Sequence, residues 1–274
     1  MRAELKVTSG FAASGDGQIY FEAAGSGPAI VFVHAGVSDR RMWDPQFEAF
    51  AGGYRVIRFD LRGFGKSSQP DGSFSNRNDL AAVLAATGVD EAVLVGCSMG
   101  GATAIDFTLA NPAGVRGLVP VGAGVSGWKD WSPQTSKQFG ELMRMIQAGD
   151  VDGARESDAR YWVDGPNRDA ARVEHGYRAR ALELHLANFS IDRFAKPEQE
   201  LSPPAIGRLA EIKCPTMVIV GDADADDLKL LAAQIAREVD GARLVTIENA
   251  AHLPSLEHPG KFNRLLREFL SQLA

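Results

Sequence analysis

The stretch that decides the fold is Val93-Leu94-Val95-Gly96-Cys97-Ser98-Met99-Gly100-Gly101-Ala102-Thr103-Ala104. An apolar run rich in valine ends at Val95, small residues follow, and helical spacing begins at Met99 and continues to Ala110. Strand, sharp turn and helix form the context in which the serine of a Gly-x-Ser-x-Gly pattern is lifted clear of a sheet. Glycines two positions either side let strand and helix approach while the serine takes a strained backbone conformation. An ordinary glycine-rich strand-to-helix turn is the bland alternative, and the placement after a buried strand argues against it. Ser98 is therefore the candidate nucleophile.

Working outward, similar short apolar runs recur at Ile30–Val33, Val56–Phe59, Leu118–Val121 and Met217–Val220. They are continuous rather than alternating, which suggests strands covered on both faces of a parallel sheet. Helical spacing falls between them, over residues 78–87, 99–110, 227–239 and 261–273. The expected fold class is α/β, a doubly wound, mostly parallel sheet. Two weaker strands are expected at Glu4–Ser9 and Gln18–Ala23, with Gly15 and Gly17 marking a hairpin turn. Arg243–Ile247 is a late strand. From 126 to 208 no convincing strand appears: Phe139, Leu142, Met143 and Ile146 share a helical face, and a long segment follows from Arg168 to Asn188. The expected organisation is a core of residues 1–125 and 209–274 with a helical cap insertion at 126–208.

The 274 residues carry 29 Lys plus Arg against 35 Asp plus Glu, a formal net charge of −6. A mildly acidic surface repels phosphates, so nucleic acid is not an expected partner. No apolar run reaches the roughly 20 residues of a membrane helix, and residues 1–14 have no apolar core of signal-peptide length. Neither Cys97 nor Cys214 sits in a metal-spaced cluster, so a reduced, cytoplasmic setting is expected, without disulfide or metal. The oligomeric state is left open, a homodimer included.

These motifs together resemble the α/β-hydrolase superfamily. The resemblance rests on His34-Ala35-Gly36 after the third strand and Asp60-Leu61-Arg62-Gly63-Phe64-Gly65-Lys66-Ser67 after the fourth. It continues through the elbow at Ser98, Gly221-Asp222-Ala223-Asp224, and Ala250-Ala251-His252-Leu253-Pro254. Within the superfamily, Met42-Trp43-Asp44-Pro45-Gln46, the elbow and the 250–259 segment are similar to 3-oxoadipate enol-lactonases and related small-ester hydrolases. The order nucleophile, acid, histidine is the superfamily order, and the resemblance implies a triad of Ser98, Asp224 and His252. A serine hydroxyl needs an adjacent base, and of five histidines only His252 follows a late strand where it can face the elbow. That base needs a carboxylate to set its tautomer. Asp224 matches the superfamily acid, with Asp222 as runner-up. A calcium loop at Asp222-Ala-Asp224-Ala-Asp226 fails, because Asp227 replaces the needed glycine and Ala233 the needed glutamate.

The amides of Met99 and Gly36 are the candidate oxyanion hole, each such donor being worth about 10²–10³ in rate. Ala35 stands where the family usually has glycine, so its methyl group is expected to narrow the pocket or tilt the turn. His34 is read as a structural holder of that turn, and Arg62 as a brace between loops. Cys97, a rival nucleophile, is expected to point away from the cleft. Three of the four tryptophans, Trp128, Trp131 and Trp162, lie in the insertion, and Trp128 and Trp131 are the favoured pocket residues. The implied function is cleavage of a small ester or lactone through an acyl-enzyme, without cofactor or metal. Perhydrolase (cofactor-free haloperoxidase) and carbon–carbon hydrolase chemistry share the constellation, and a small-molecule receptor on the same fold is the non-enzymatic alternative.

Overall fold

The computed structural model describes residues 5–189 and 198–273. Its strands are β1 (Val7–Ser14), β2 (Gly17–Ala24), β3 (Ala29–Val33), β4 (Arg55–Phe59), β5 (Ala92–Cys97), β6 (Val115–Val121), β7 (Met217–Gly221) and β8 (Arg243–Ile247). They form one sheet in the order β1-β2-β4-β3-β5-β6-β7-β8. The β1–β2 and β2–β4 pairs are antiparallel; all others are parallel. This is the mostly parallel, doubly wound arrangement the sequence implies. The first strand differs from expectation. Its pairing runs from Val7 to Ser14 rather than ending at Ser9, because Gly15, at φ 56°, closes a two-residue turn that lets the hairpin zip to its tip. Glu4, where that strand was expected to begin, lies outside the described residues.

Alternate side chains of the central strands feed two cores. Val31, Val33, Ile57, Leu94, Leu118 and Val218 pack with Leu80 and Val83 of α2 (Asn76–Thr87), Ile105 of α3 (Met99–Ala110) and Leu231 of α7 (Asp226–Glu238). Ile30, Phe32, Val93, Val95, Val119 and Ile219 face the other way. They pack with Phe47 of α1 (Asp44–Phe50) and with Phe262 and Leu266 of α9 (Pro259–Ser271). The continuous apolar runs are thus explained by burial on both faces. Helix α1, with Pro45 in its first turn, was not expected from the sequence; seven residues are too few for a periodicity to show.

Between β6 and β7 the chain adds α4 (Pro133–Gln147), α5 (Val151–Ala159) and α6 (His175–Asn188). The expected long segment from Arg168 becomes helix only at His175. Glu174 caps it there, its carboxylate accepting from the Gly176 and Tyr177 amides at 2.8 and 2.6 Å and so satisfying donors the first turn leaves open. The insertion is tied down at its start by the buried Asp227 at the head of α7. Its carboxylate accepts from the Ser132 amide at 3.0 Å, from the Ser132 hydroxyl at 2.7 Å, and from the Thr135 hydroxyl. The part of the insertion at 190–197 is outside the described residues. Among the described residues, no helix is long and apolar enough to cross a membrane.

Candidate active site

Ser98 sits between β5 and α3 at φ 55° and ψ −116°, a backbone region that costs an L-residue strain and is held only by its surroundings. The surroundings are the two glycines. A Cβ on Gly96 would stand 2.2 Å from the Gly100 carbonyl oxygen, and one on Gly100 would stand 2.4 Å from that of Val33. Only glycine fits at either place. The Ser98 amide donates to Val121 O at 2.9 Å, and its carbonyl accepts from the Gly124 and Ala102 amides. The elbow is therefore fastened to the end of β6 on one side and to its own helix on the other.

Across the end of β6 lie the acid and the histidine. His252 Nδ1 is 3.1 and 3.2 Å from the two Asp224 carboxylate oxygens, and both residues are buried. Asp224 also accepts from the Ala225 amide at 2.8 Å, which fixes the carboxylate's plane. Asp222, the runner-up, is exposed, and it is Asp224 that bonds to His252. Asp226 pairs with Lys229 at 2.8 Å and takes a bond from Asn167. Gly122, at φ 47°, lines the gap: a Cβ there would stand 2.8 Å from Asp224 Oδ2 and 3.3 Å from His252 Nδ1. The Cys97 thiol, next to the serine, donates to the His252 carbonyl at 3.3 Å, so the loops bearing Ser98 and His252 are in direct contact. Burial, and then the charge of Asp224, push that thiol well above the ordinary cysteine range. A protonated, buried thiol is no rival nucleophile.

Gly36 lies against Met99, a Cβ there meeting Met99 Cε at 3.0 Å, so the two candidate oxyanion residues are neighbours. The Ala35 methyl belongs to the buried core that contains Trp43 and Phe262. His34 holds the turn as expected, its Nε2 accepting from the Leu61 amide at 2.8 Å and its Nδ1 donating to Ala35 O at 2.8 Å. Those partners set one neutral tautomer. Arg62 braces loops, with both Asp79 oxygens at 2.7 and 3.0 Å and Asp16 at 2.8 Å.

The aromatic residue that reaches the histidine is Trp162, not the two favoured from sequence. Its ring centroid is 4.6 Å from that of His252. It belongs to a π-helical turn, Arg160–Asp164, a distortion that re-aims a side chain within a helix. Phe139 stacks 6.4 Å behind Trp162, and Trp131 stands 6.0 Å behind Phe139. Trp131 and Phe139 are each 37% exposed, so the row of rings runs from surface to imidazole. Trp128 packs against the core containing Leu80 and Leu231. That the insertion is rich in aromatics was legible; which one a π turn would aim at His252 was not.

A strained elbow serine beside a buried acid–histidine pair, on a doubly wound sheet, is the architecture of an α/β hydrolase. The model of the alpha/beta hydrolase family matches residues 30–265, and the chain belongs to that family. Curated relatives include a 2-hydroxy-6-oxononadienedioate/2-hydroxy-6-oxononatrienedioate hydrolase of Paraburkholderia xenovorans, 30% identical, covering 94% of this chain and 92% of that protein. A protein of the same name from Burkholderia vietnamiensis is 32% identical, covering 92% and 91%. Among solved structures, Est816, described as an N-acyl homoserine lactone degrading enzyme, has a TM-score of 0.80 at 27% identity, covering 95% of this chain and all of that one. The enol-lactonase from Burkholderia xenovorans shares the fold, with a TM-score of 0.79 at 20% identity and coverage of 96% and 100%.

Proposed function

We propose that this hydrolase cleaves small carboxylic esters or lactones through a Ser98–His252–Asp224 triad. The observation that carries the reading is the buried, hydrogen-bonded His252–Asp224 pair, its histidine loop in direct contact with Cys97, the residue before the strained elbow serine. His252 takes the Ser98 proton as the hydroxyl oxygen attacks the carbonyl carbon. Asp224 stabilises the imidazolium that forms. The Met99 and Gly36 amides hold the oxyanion, and His252 then protonates the departing alcohol. Water, deprotonated by the same histidine, releases the acid and regenerates the serine. In this reading residues 126–208 act as a cap over the site.

The cap's chemistry favours an uncharged, partly apolar substrate. Trp162 presents a ring beside the base. The nearby arginines are engaged: Arg160 with two backbone carbonyls, Arg168 with Glu257, and Arg178 with Asp164. The second reading is carbon–carbon hydrolysis, favoured by the relatives near 30% identity. A hydroxy-oxo-dienedioate carries no ester, so hydrolysing it breaks a carbon–carbon bond. The same triad serves, but a dianionic substrate needs cations, and Arg160, Arg168 and Arg178 are already committed to internal partners.

The test is turnover of short p-nitrophenyl esters, a lactone panel and a 2-hydroxy-6-oxodienoate by wild type and Ser98→Ala side by side. Ester or lactone turnover that falls by about 10⁴-fold or more in Ser98→Ala supports the proposal. Turnover confined to the dienoate replaces it with the second reading, and bromination or peroxyacid formation would replace it with perhydrolase chemistry. Equal turnover by both proteins refutes the role of Ser98. Ligand binding without turnover would favour the receptor.

A further inference from the structure

The loop that carries His252 is held from the insertion as well as from the core. Glu257, on the short helix α8 (Pro254–Glu257), turns back so that its Oε2 accepts from the Ala251 amide at 2.9 Å. Its Oε1 pairs with Arg168 of the insertion at 2.6 Å. Arg168 also donates from Nη1 to Asn249 O at 2.8 Å and from Nε to Asp164 O. The two side chains are 9% and 3% exposed, so this is a buried ion pair joining insertion to core across the histidine loop. Residues just before it close the same gap. A Cβ on Gly165 would stand 2.8 Å from Ala223 O and 2.9 Å from the Ala251 Cβ. The Asn167 amide donates to Asp224 O at 2.7 Å. One stretch of the insertion thus touches both the acid loop and the base loop.

We propose that the Arg168–Glu257 pair is a positioning device that fixes the His252 loop from the insertion. The proposal rests on His252 being the catalytic base. Neither residue touches the reacting atoms; both act through the Ala251 and Asn249 backbone. A buried pair adds little net stability against a neutral replacement, whereas removing one partner strands a charge. The retained ion pair is therefore explained better by geometry at His252 than by folding. Loss of Arg168 leaves the Glu257 carboxylate buried without its cation and removes one of the two partners of Asn249 O, His258 Nε2 being the other, so the loop shifts.

The experiment compares wild type, Arg168→Met, Glu257→Gln and the double variant by steady-state ester kinetics. It adds proton NMR of the downfield His252 Nδ1–H resonance in substrate-free protein. Arg168→Met is expected to lower kcat by about 10- to 100-fold with KM changed less than about threefold, as for a misplaced catalytic group, and to shift or broaden the resonance. The double variant is expected to recover kcat relative to Arg168→Met, because the neutral amide that Glu257→Gln introduces still accepts from Ala251 and strands no charge. A merely structural pair would lower the unfolding midpoint while leaving kcat, KM and the resonance of the folded fraction unchanged, and that result overturns the proposal. So does strict additivity of the two substitutions. If Arg168→Met does not fold, Glu257→Ala carries the test, since it removes the acceptor of the Ala251 amide while Arg168 keeps its carbonyl partners; a wild-type resonance and kcat there refute the proposal. The resonance needs no turnover, so failure of the esterase reading and failure of this one are separate outcomes.

Discussion

Replacing Gly100 by alanine adds one methyl group at the closest approach of α3 to β3. Its Cβ would stand 2.4 Å from Val33 O and 2.6 Å from His34 O, both backbone atoms that cannot rotate away. Restoring an ordinary contact of 3.4 Å moves the head of α3 by about 1 Å. Ser98 and the Met99 amide ride on that turn. Overpacking of this kind costs about 1–3 kcal/mol of stability, and a displacement of that size costs on the order of 10²-fold in rate. Gly140, inside α4, supplies the control: a Cβ there meets nothing within 4 Å. The same substitution at 140 is expected to stabilise by up to about 1 kcal/mol through helix propensity alone, with turnover unchanged. Urea unfolding followed by circular dichroism, together with ester turnover, measures both variants. Gly100→Ala as stable and as active as wild type would refute the argument that the elbow glycines exist for close approach.

Three further outcomes are expected. Trp162→Ala should raise KM for esters with long apolar acyl chains more than for acetates, because the ring beside His252 is taken to contact that chain; an equal change across the ester series would count against it. Arg62→Met should destabilise by roughly 3–5 kcal/mol, since it strands the buried carboxylate of Asp79; a urea midpoint close to that of wild type would contradict this. Burial alone would raise the Asp39 carboxyl, but hydrogen bonds from Arg41 and Asn188 outweigh it and hold Asp39 well below the usual carboxylate range. A depressed folded value contributes stability above the unfolded value near 4 and loses it as pH falls through the folded one. Asp39→Asn should therefore be less stable than wild type at neutral pH, with the gap closing only below about pH 4; a gap independent of pH would refute it.

The elbow was legible because its requirements are local: the glycines at 96 and 100 and the apolar strand before them lie within a few residues of Ser98. The two-sided sheet was legible for a similar reason, since burial on both faces writes itself as unbroken runs such as Ile30–Val33. The acid was only narrowed. Asp222 and Asp224 lie two positions apart, and the fold exposes the first while burying the second against His252. Trp162 escaped because its aim depends on a π turn, which leaves no periodic signature. Glu257 and Arg168 lie 89 positions apart, and nothing in either neighbourhood announces the other.

The central claim is that Ser98 is a nucleophile activated by His252. A fluorophosphonate, which forms a bond only with an activated serine oxygen, tests it without assuming a substrate. After exposure, wild-type protein is expected to carry one adduct, mapped by peptide mass spectrometry to Ser98, and His252→Ala treated identically is expected to carry none. An adduct on another residue, or equal labelling of Ser98 with and without His252, would contradict the account.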